Sequence, residues 1–68
     1  MKIQVTTNEL KVLRKVAEGI QIHALASEEG FTRKEAERHL KSVYKKLKTS
    51  TPLEALQLLA LSGFEVVD

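Results

Sequence analysis

Seven basic residues crowd into the stretch from 33 to 48 of this sequence: Arg33, Lys34, Arg38, Lys41, Lys45, Lys46 and Lys48. Only Glu35 and Glu37 oppose them there, a balance of +5, whereas residues 1–32 sum to zero and residues 49–68 to −3. Lysine and arginine concentrated in this way neutralise phosphates and release their counterions, so a polyanion-facing surface is one use of the segment. A solvated helix face is the other. The remaining candidates for chemistry are sparse. His23 and His39 are the two imidazoles, and neither has Cys, Asp or Glu at a spacing that builds a four-coordinate metal site. Cysteine is absent, which removes thiolate metal sites, disulfides and a Cys nucleophile. No nucleophile and base stand together as a pocket would need, so neither catalysis nor a cofactor, metal or small-molecule ligand is expected.

These residues need a scaffold, and 68 residues make one small domain with a modest core. Three Thr-x-x-Glu patterns, Thr6 with Glu9, Thr32 with Glu35 and Thr51 with Glu54, mark helix starts as capping boxes. Pro52 after Thr51 adds a first-turn proline. The first helix then runs from about Thr7 to Glu18, with Leu10, Leu13, Val16 and Ala17 on one stripe and Gly19 as its stop. A short second helix lies between Gly19 and Gly30, with Ile22, Leu25 and Ala26 as its apolar face and Gln21 as a poor cap. The third spans about Arg33 to Leu47. Its Ala36, Leu40, Val43, Tyr44 and Leu47 turn inward, leaving Arg33, Lys34, Glu37, Arg38, Lys41 and Lys45 outside. The fourth spans about Pro52 to Ser62, closed by Gly63 and followed by the apolar end Phe64 to Val67. A short alternation, Lys2-Ile3-Gln4-Val5, is the one hint of a strand, and an all-α, four-helix domain is predicted.

Two helices joined through Gly30-Phe31-Thr32, the second long and basic, are the parts of a helix-turn-helix. From here the sequence resembles the DNA-binding domains of LuxR/GerE-type transcriptional regulators over about residues 5–64. Val5-Thr6-Thr7-Asn8-Glu9-Leu10-Lys11-Val12-Leu13 is similar to the family opening Leu-Thr-x-Arg-Glu-x-x-Val-Leu. Ala17-Glu18-Gly19 matches its Ala-x-Gly turn, Leu25-Ala26 its Ile-Ala, and His39, Lys46-Leu47, Ala55 and Gly63 fall at its later spacings. The resemblance implies a bacterial-type, cytoplasmic regulator of transcription that binds double-stranded DNA through the third helix and forms a homodimer through the fourth. Sigma region 4 shares the fold and the opening, but His39 and Lys46-Leu47 fit the LuxR-type pattern better. Such domains usually follow a receiver or sensing domain; Met1 favours a free-standing regulator over a fragment.

By resemblance, Glu37, Arg38 and Lys41 project toward base edges, with Arg38 suited to both acceptors of guanine. Thr32, Arg33, Lys34, His39, Lys45 and Lys46 are then the phosphate-contacting set, which positions without specifying. The chain also departs from the pattern at Asn8, Gln21, Glu29, Glu35-Ala36 and Glu37. Glu35 completes the box with Thr32, whereas Glu37 either repels phosphates or accepts from cytosine N4. These acids and the acidic tail point to a second reading, a helix-turn-helix relic that binds another regulatory protein. In the fourth helix, Leu53, Ala55, Leu56, Leu59 and Ala60 form the expected core arc, and Leu58 with Leu61 an apolar pair on the other side, the expected dimer contact. No apolar run approaches the roughly 20 residues of a membrane span, and none of the start resembles a secretory signal.

Overall fold

The computed structural model describes residues 2–68; Met1, and the expectation resting on it, lie outside the described residues. The elements in order are β1 (Ile3–Thr6), α1 (Thr7–Ala17), α2 (Ile22–Glu29), α3 (Arg33–Leu47), α4 (Pro52–Ser62) and β2 (Phe64–Val67). Two of the three threonine signals close as full capping boxes. The Thr6 hydroxyl accepts the Glu9 N–H while Glu9 accepts the Thr6 N–H, and Thr32 and Glu35 repeat the exchange. The third is half a box. Thr51 accepts the Glu54 N–H at 3.3 Å, but the Glu54 carboxylate turns to the Thr49 hydroxyl, 2.8 Å away. Helix α2 has no side-chain cap at Gln21 and is ended by Gly30, whose φ of 76° lets the Gly30 and Phe31 N–H groups both return to the Ala26 carbonyl.

Burial rather than local signal holds α2. Leu25 and Ala26 pack with Val12 of α1 and Ala36 of α3, with Val16, Ile20, Ile22 and Phe31 around them. A second cluster joins Val5, Leu13, Val43, Leu47, Ala55 and Leu59, so it ties β1, α1, α3 and α4 together. Leu40, in the middle of α3, packs against both. Helix α3 is therefore the central beam, and its apolar side is fixed by neighbours on two fronts.

The chain is mostly helical, but it is not all-α. Residues at its two ends pair as a parallel two-stranded ribbon, with Ile3 opposite Phe64, Gln4 opposite Glu65, Val5 opposite Val66 and Thr6 opposite Val67. The alternation Ile3-Gln4-Val5 is too short to specify a strand alone, and its partner is far away in sequence. What secures it is tertiary: Val5 is fully buried, Gln4 donates to Glu65 at 2.9 Å, and the Ile3 N–H reaches the Gly63 carbonyl at 3.3 Å. Gly63, with φ 76° and ψ 148°, makes the turn out of α4 in a conformation that is essentially glycine's alone. Helix α4 also departs from the predicted arc. Ala55 and Leu59 are buried and Leu56 half-buried, but Leu53 is 66% exposed and Ala60 is exposed, because the covering elements meet a narrower strip of this helix.

Lys48 caps α3 with φ 55°, a left-handed conformation that costs a side-chain-bearing residue roughly 1–2 kcal/mol. Its side chain is exposed. Lys48→Gly is accordingly expected to raise stability by about 0.5–1 kcal/mol after the added entropy of the unfolded glycine, and Gly63→Ala to lower it by about 1–3 kcal/mol. Urea denaturation followed by circular dichroism checks both signs, and a Lys48→Gly protein less stable than the parent contradicts this account of the cap.

Candidate nucleic-acid interface

With Ala36, Leu40, Val43 and Leu47 turned into the two clusters, the opposite side of α3 is fixed by helix geometry. Lys34, Arg38, Lys41 and Lys45 recur there at i, i+4, i+7 and i+11. At 100° per residue they fall within an arc of about 60°, along roughly 16 Å of helix. All four are exposed. A helix of ordinary diameter fits the B-DNA major groove, and this one presents its cations in a single file. The turn before it is braced: α2 packs on α3, and Lys11 and Lys15 of α1 pair with Glu29 and Glu28 of α2, each at 3.6 Å. Glu29, which departs from the family's apolar residue, thus has a basic neighbour.

The acids of α3 are also accounted for. Arg33 donates to Glu37 at 3.1 Å, four residues on, so the carboxylate beside the stripe has a cation of its own and Arg33 is partly engaged. Glu35 faces the helix start. The Thr32 N–H, and next the Thr32 hydroxyl, hold its carboxyl below the ordinary glutamate range, helped by the charges of Arg38 and His39. Thr32 is exposed, but its hydroxyl already accepts the Glu35 N–H at 3.1 Å. His39 is half-buried, its ring centroid 5.2 Å from that of Phe31 and tilted by 53°, so it packs the turn as well as bordering the surface. Tyr44 packs on the larger cluster, and burial pushes its phenol up.

Lys46 stands apart from the predicted phosphate-contacting set. It lies about 80° or more around the helix from the stripe. Its ammonium is 2.7 Å from Glu9 Oε1 and 3.2 Å from the Gln4 carbonyl, both on other elements. This lysine is committed to the fold. Glu9, 3% exposed, is a buried charge as well as a cap. Its other oxygen accepts the Ser42 hydroxyl at 2.5 Å. Burial pushes the Glu9 carboxyl up, but the bonds from Lys46, Ser42 and Thr6, with the Lys46 charge, outweigh it and hold the carboxyl below its usual range.

The structure brings Arg38, Lys41, Lys34 and Lys45 together, sets Arg33 and Glu37 at their flank, and places Leu58 and Leu61 on α4, an element that contributes nothing to the basic stripe. Leu61 is 85% exposed and Leu58 only 37%. Among the described residues no group of three His, Cys, Asp or Glu side chains is placed to hold a metal ion, and no helix is long and apolar enough to cross a membrane. Comparisons with protein-family models, with curated proteins and with solved structures find no match.

Because the folded Glu9 carboxyl is depressed, the stability it contributes is complete above the unfolded value of about 4.3 and is lost as pH falls through the lower folded value. Glu9→Gln is expected to cost about 1–3 kcal/mol at pH 7, since Lys46 and Ser42 lose a charged acceptor, and to flatten the loss of stability below about pH 4.3. Denaturant midpoints measured from pH 7 to pH 3 provide the check. A variant as acid-sensitive as the parent would remove Glu9 from this role.

Proposed function

We propose that this chain is a sequence-specific DNA-binding domain of the helix-turn-helix kind, similar to those of LuxR/GerE-type transcriptional regulators, with α3 in the major groove. The observation that carries the reading is the single file of Lys34, Arg38, Lys41 and Lys45 on the outer side of a helix whose inner side is clamped by α1, α2 and α4. A rigid row of exposed cations loses little freedom on meeting phosphates, and only its side chains remain to be ordered. Arg38 and Lys41, one turn apart near the middle of the row, are the base-reading candidates, with Glu37 beside them. Lys34 and Lys45 at its two ends are the phosphate contacts. Arg33, Thr32 and His39 flank the approach, each with a structural engagement already made.

Helix α4 contains no Lys or Arg and exposes Leu53, Leu58 and Leu61, which supports a homodimer formed away from the DNA. Leu61 is the most exposed of these and the best centre for such a contact; Leu58 lies at its edge. The same apolar surface favours the second reading, in which a different regulatory protein occupies it. Phe64 and Val66 of β2, 37% and 48% exposed, enlarge the apolar area available to that partner.

Titration of labelled duplexes should show binding with a log–log salt slope of about −2 to −3 per subunit, from the phosphates met by Lys34 and Lys45 with the partly engaged Arg33. Lys45→Ala should flatten the slope by about one for every sequence, whereas Arg38→Ala should cost about 1–3 kcal/mol on a preferred site and relax the choice at one base pair. No binding to any duplex at roughly 50 mM salt and high micromolar protein contradicts the DNA reading and leaves the interaction module. For the dimer, sedimentation with and without a duplex carrying two half-sites compares the parent with a Leu58→Glu, Leu61→Glu protein. A parent that stays monomeric throughout, or a double variant that still pairs, removes α4 from this role.

A further inference from the structure

The two outer edges of the ribbon are treated differently by the fold. That of β1 is met by α3, whose Lys46 ammonium takes the Gln4 carbonyl at 3.2 Å. That of β2 has no strand beside it. The Ile3 N–H donates to the Gly63 carbonyl at 3.3 Å, which fixes the phase of the parallel ladder. Glu65 and Val67 therefore turn their backbone groups toward β1, and the N–H and C=O groups of Phe64 and Val66 point away from it. Both residues are exposed. Strand edges are ordinarily blunted by Lys, Pro or a bulge, and Phe64-Glu65-Val66-Val67, in unbroken register with β1, has none of these. The register also sets Phe64 and Val66 on the face shared by Ile3 and the buried Val5. Beside that face a groove of about 240 Å³ runs between Leu10 and Arg14 of α1, Leu56, Leu59 and Ala60 of α4 and Phe64 itself. On the other face Glu65 is exposed; the Gln4 amide donates to it at 2.9 Å but brings no charge, and no Lys or Arg among the described residues pairs with it.

We infer that β2 is a docking edge for an extended segment of a partner protein, one with apolar side chains at alternate positions and Lys or Arg between them. The backbone of such a segment pairs with the N–H and C=O groups of Phe64 and Val66. Its inward apolar side chains stand beside Phe64 and Val66, within reach of the groove, and its outward cations lie beside Glu65. Main-chain bonds supply the affinity, and the alternation supplies the choice of segment. A second copy of this chain is a poorer occupant. β2 and Asp68 together carry two acids and no base, and an antiparallel two-fold pairing through Phe64 and Val66 of both copies sets Glu65 opposite Glu65. The inference rests on the interaction reading of this apolar surface, to which it gives a chemistry, and it is independent of whether α3 binds DNA.

The test uses the isotopically labelled full chain and two synthetic peptides about eight residues long, one alternating valine with lysine and one alternating valine with glutamate. The lysine peptide is expected to shift the Phe64 and Val66 amide resonances most and to slow their hydrogen exchange, with the glutamate peptide roughly fivefold weaker at that edge. Glu65→Lys should reverse the preference, as a charge beside the added strand requires. Val66→Pro removes an outward N–H without touching the bonds to β1 and should weaken binding at least about tenfold; the Glu65→Lys comparison stands whatever proline does to the ribbon. Leu61→Ser changes α4 alone and should bind like the parent. Absence of shifts at Phe64 and Val66 with either peptide at roughly millimolar concentration, or equal affinity of the parent for both, overturns the inference. Loss of binding in Leu61→Ser but not in Val66→Pro moves the partner to α4, so the interaction reading stands and this inference falls. Exchange protection of Phe64 and Val66 that grows with protein concentration in the absence of peptide assigns the edge to a second copy and overturns it as well.

Discussion

The Glu9 carboxylate lies where α1, α3 and β1 meet, and with 3% of the residue exposed it has almost no water to rely on. A carboxylate in that position is tolerated only if the chain surrounds it with donors, because an unpaired buried charge costs several kcal/mol. The donors are the Thr6 N–H, where β1 runs into α1, and Ser42 and Lys46 from α3, with Lys46 also donating to the Gln4 carbonyl of β1. Satisfying one acid thus sets the start of α1, the position of β1 and the rotation of α3. With Ser42 and Lys46 turned to Glu9 on one flank, and Ala36, Val43 and Leu47 turned into the core, Lys34, Arg38, Lys41 and Lys45 are left to face outward.

That division of labour explains why two lysines adjacent in sequence are unlike in use. Lys45 and Lys46 are separated by 100° around α3. One extends from the exposed row, whereas the other is an internal ligand for a carboxylate. Composition counts both toward a +5 segment, yet the charge offered to a partner is smaller than that count, since Lys46 is matched by Glu9 from outside the segment. The ion pairs between α1 and α2 are partly exposed and contribute little by themselves. They pair the acids of α2 with lysines of α1 and not with the row on α3.

The four helices were legible because their signals are local. Thr6, Thr32 and Thr51 stand where the boundaries fall, and Gly30 and Gly63 stand where the chain must take positive φ. The ribbon was not, since Ile3–Thr6 and Phe64–Val67 acquire meaning only when folding brings the ends together. In α4, periodicity identified Ala55, Leu56 and Leu59 as inward residues but assigned Leu53 to the same arc; the arc's width depends on how much of the helix its neighbours cover, which no single-helix pattern contains. The basic side of α3 followed from spacing. The Glu9, Ser42 and Lys46 cluster did not, although the family pattern marks Glu9 and Lys46, because a capping glutamate and a lysine in a basic run each have a sufficient local explanation.

The surface that results is segregated. Cations occupy α3, the exposed apolar side chains Leu53, Leu58, Leu61, Phe64 and Val66 occupy α4 and β2, and the acid of Asp68 lies where β2 returns to the start of α1. The core requires none of this separation, since exposed leucines and lysines could be exchanged among outward positions without altering either cluster. On the proposed reading, a nucleic acid along α3 would leave the apolar side free for a protein surface, and two weak contacts that do not overlap would reinforce each other. The parallel ribbon is the element that relates them: the strand that exposes Phe64 and Val66 is the one whose next residue, Asp68, accepts the Thr7 hydroxyl at the start of α1.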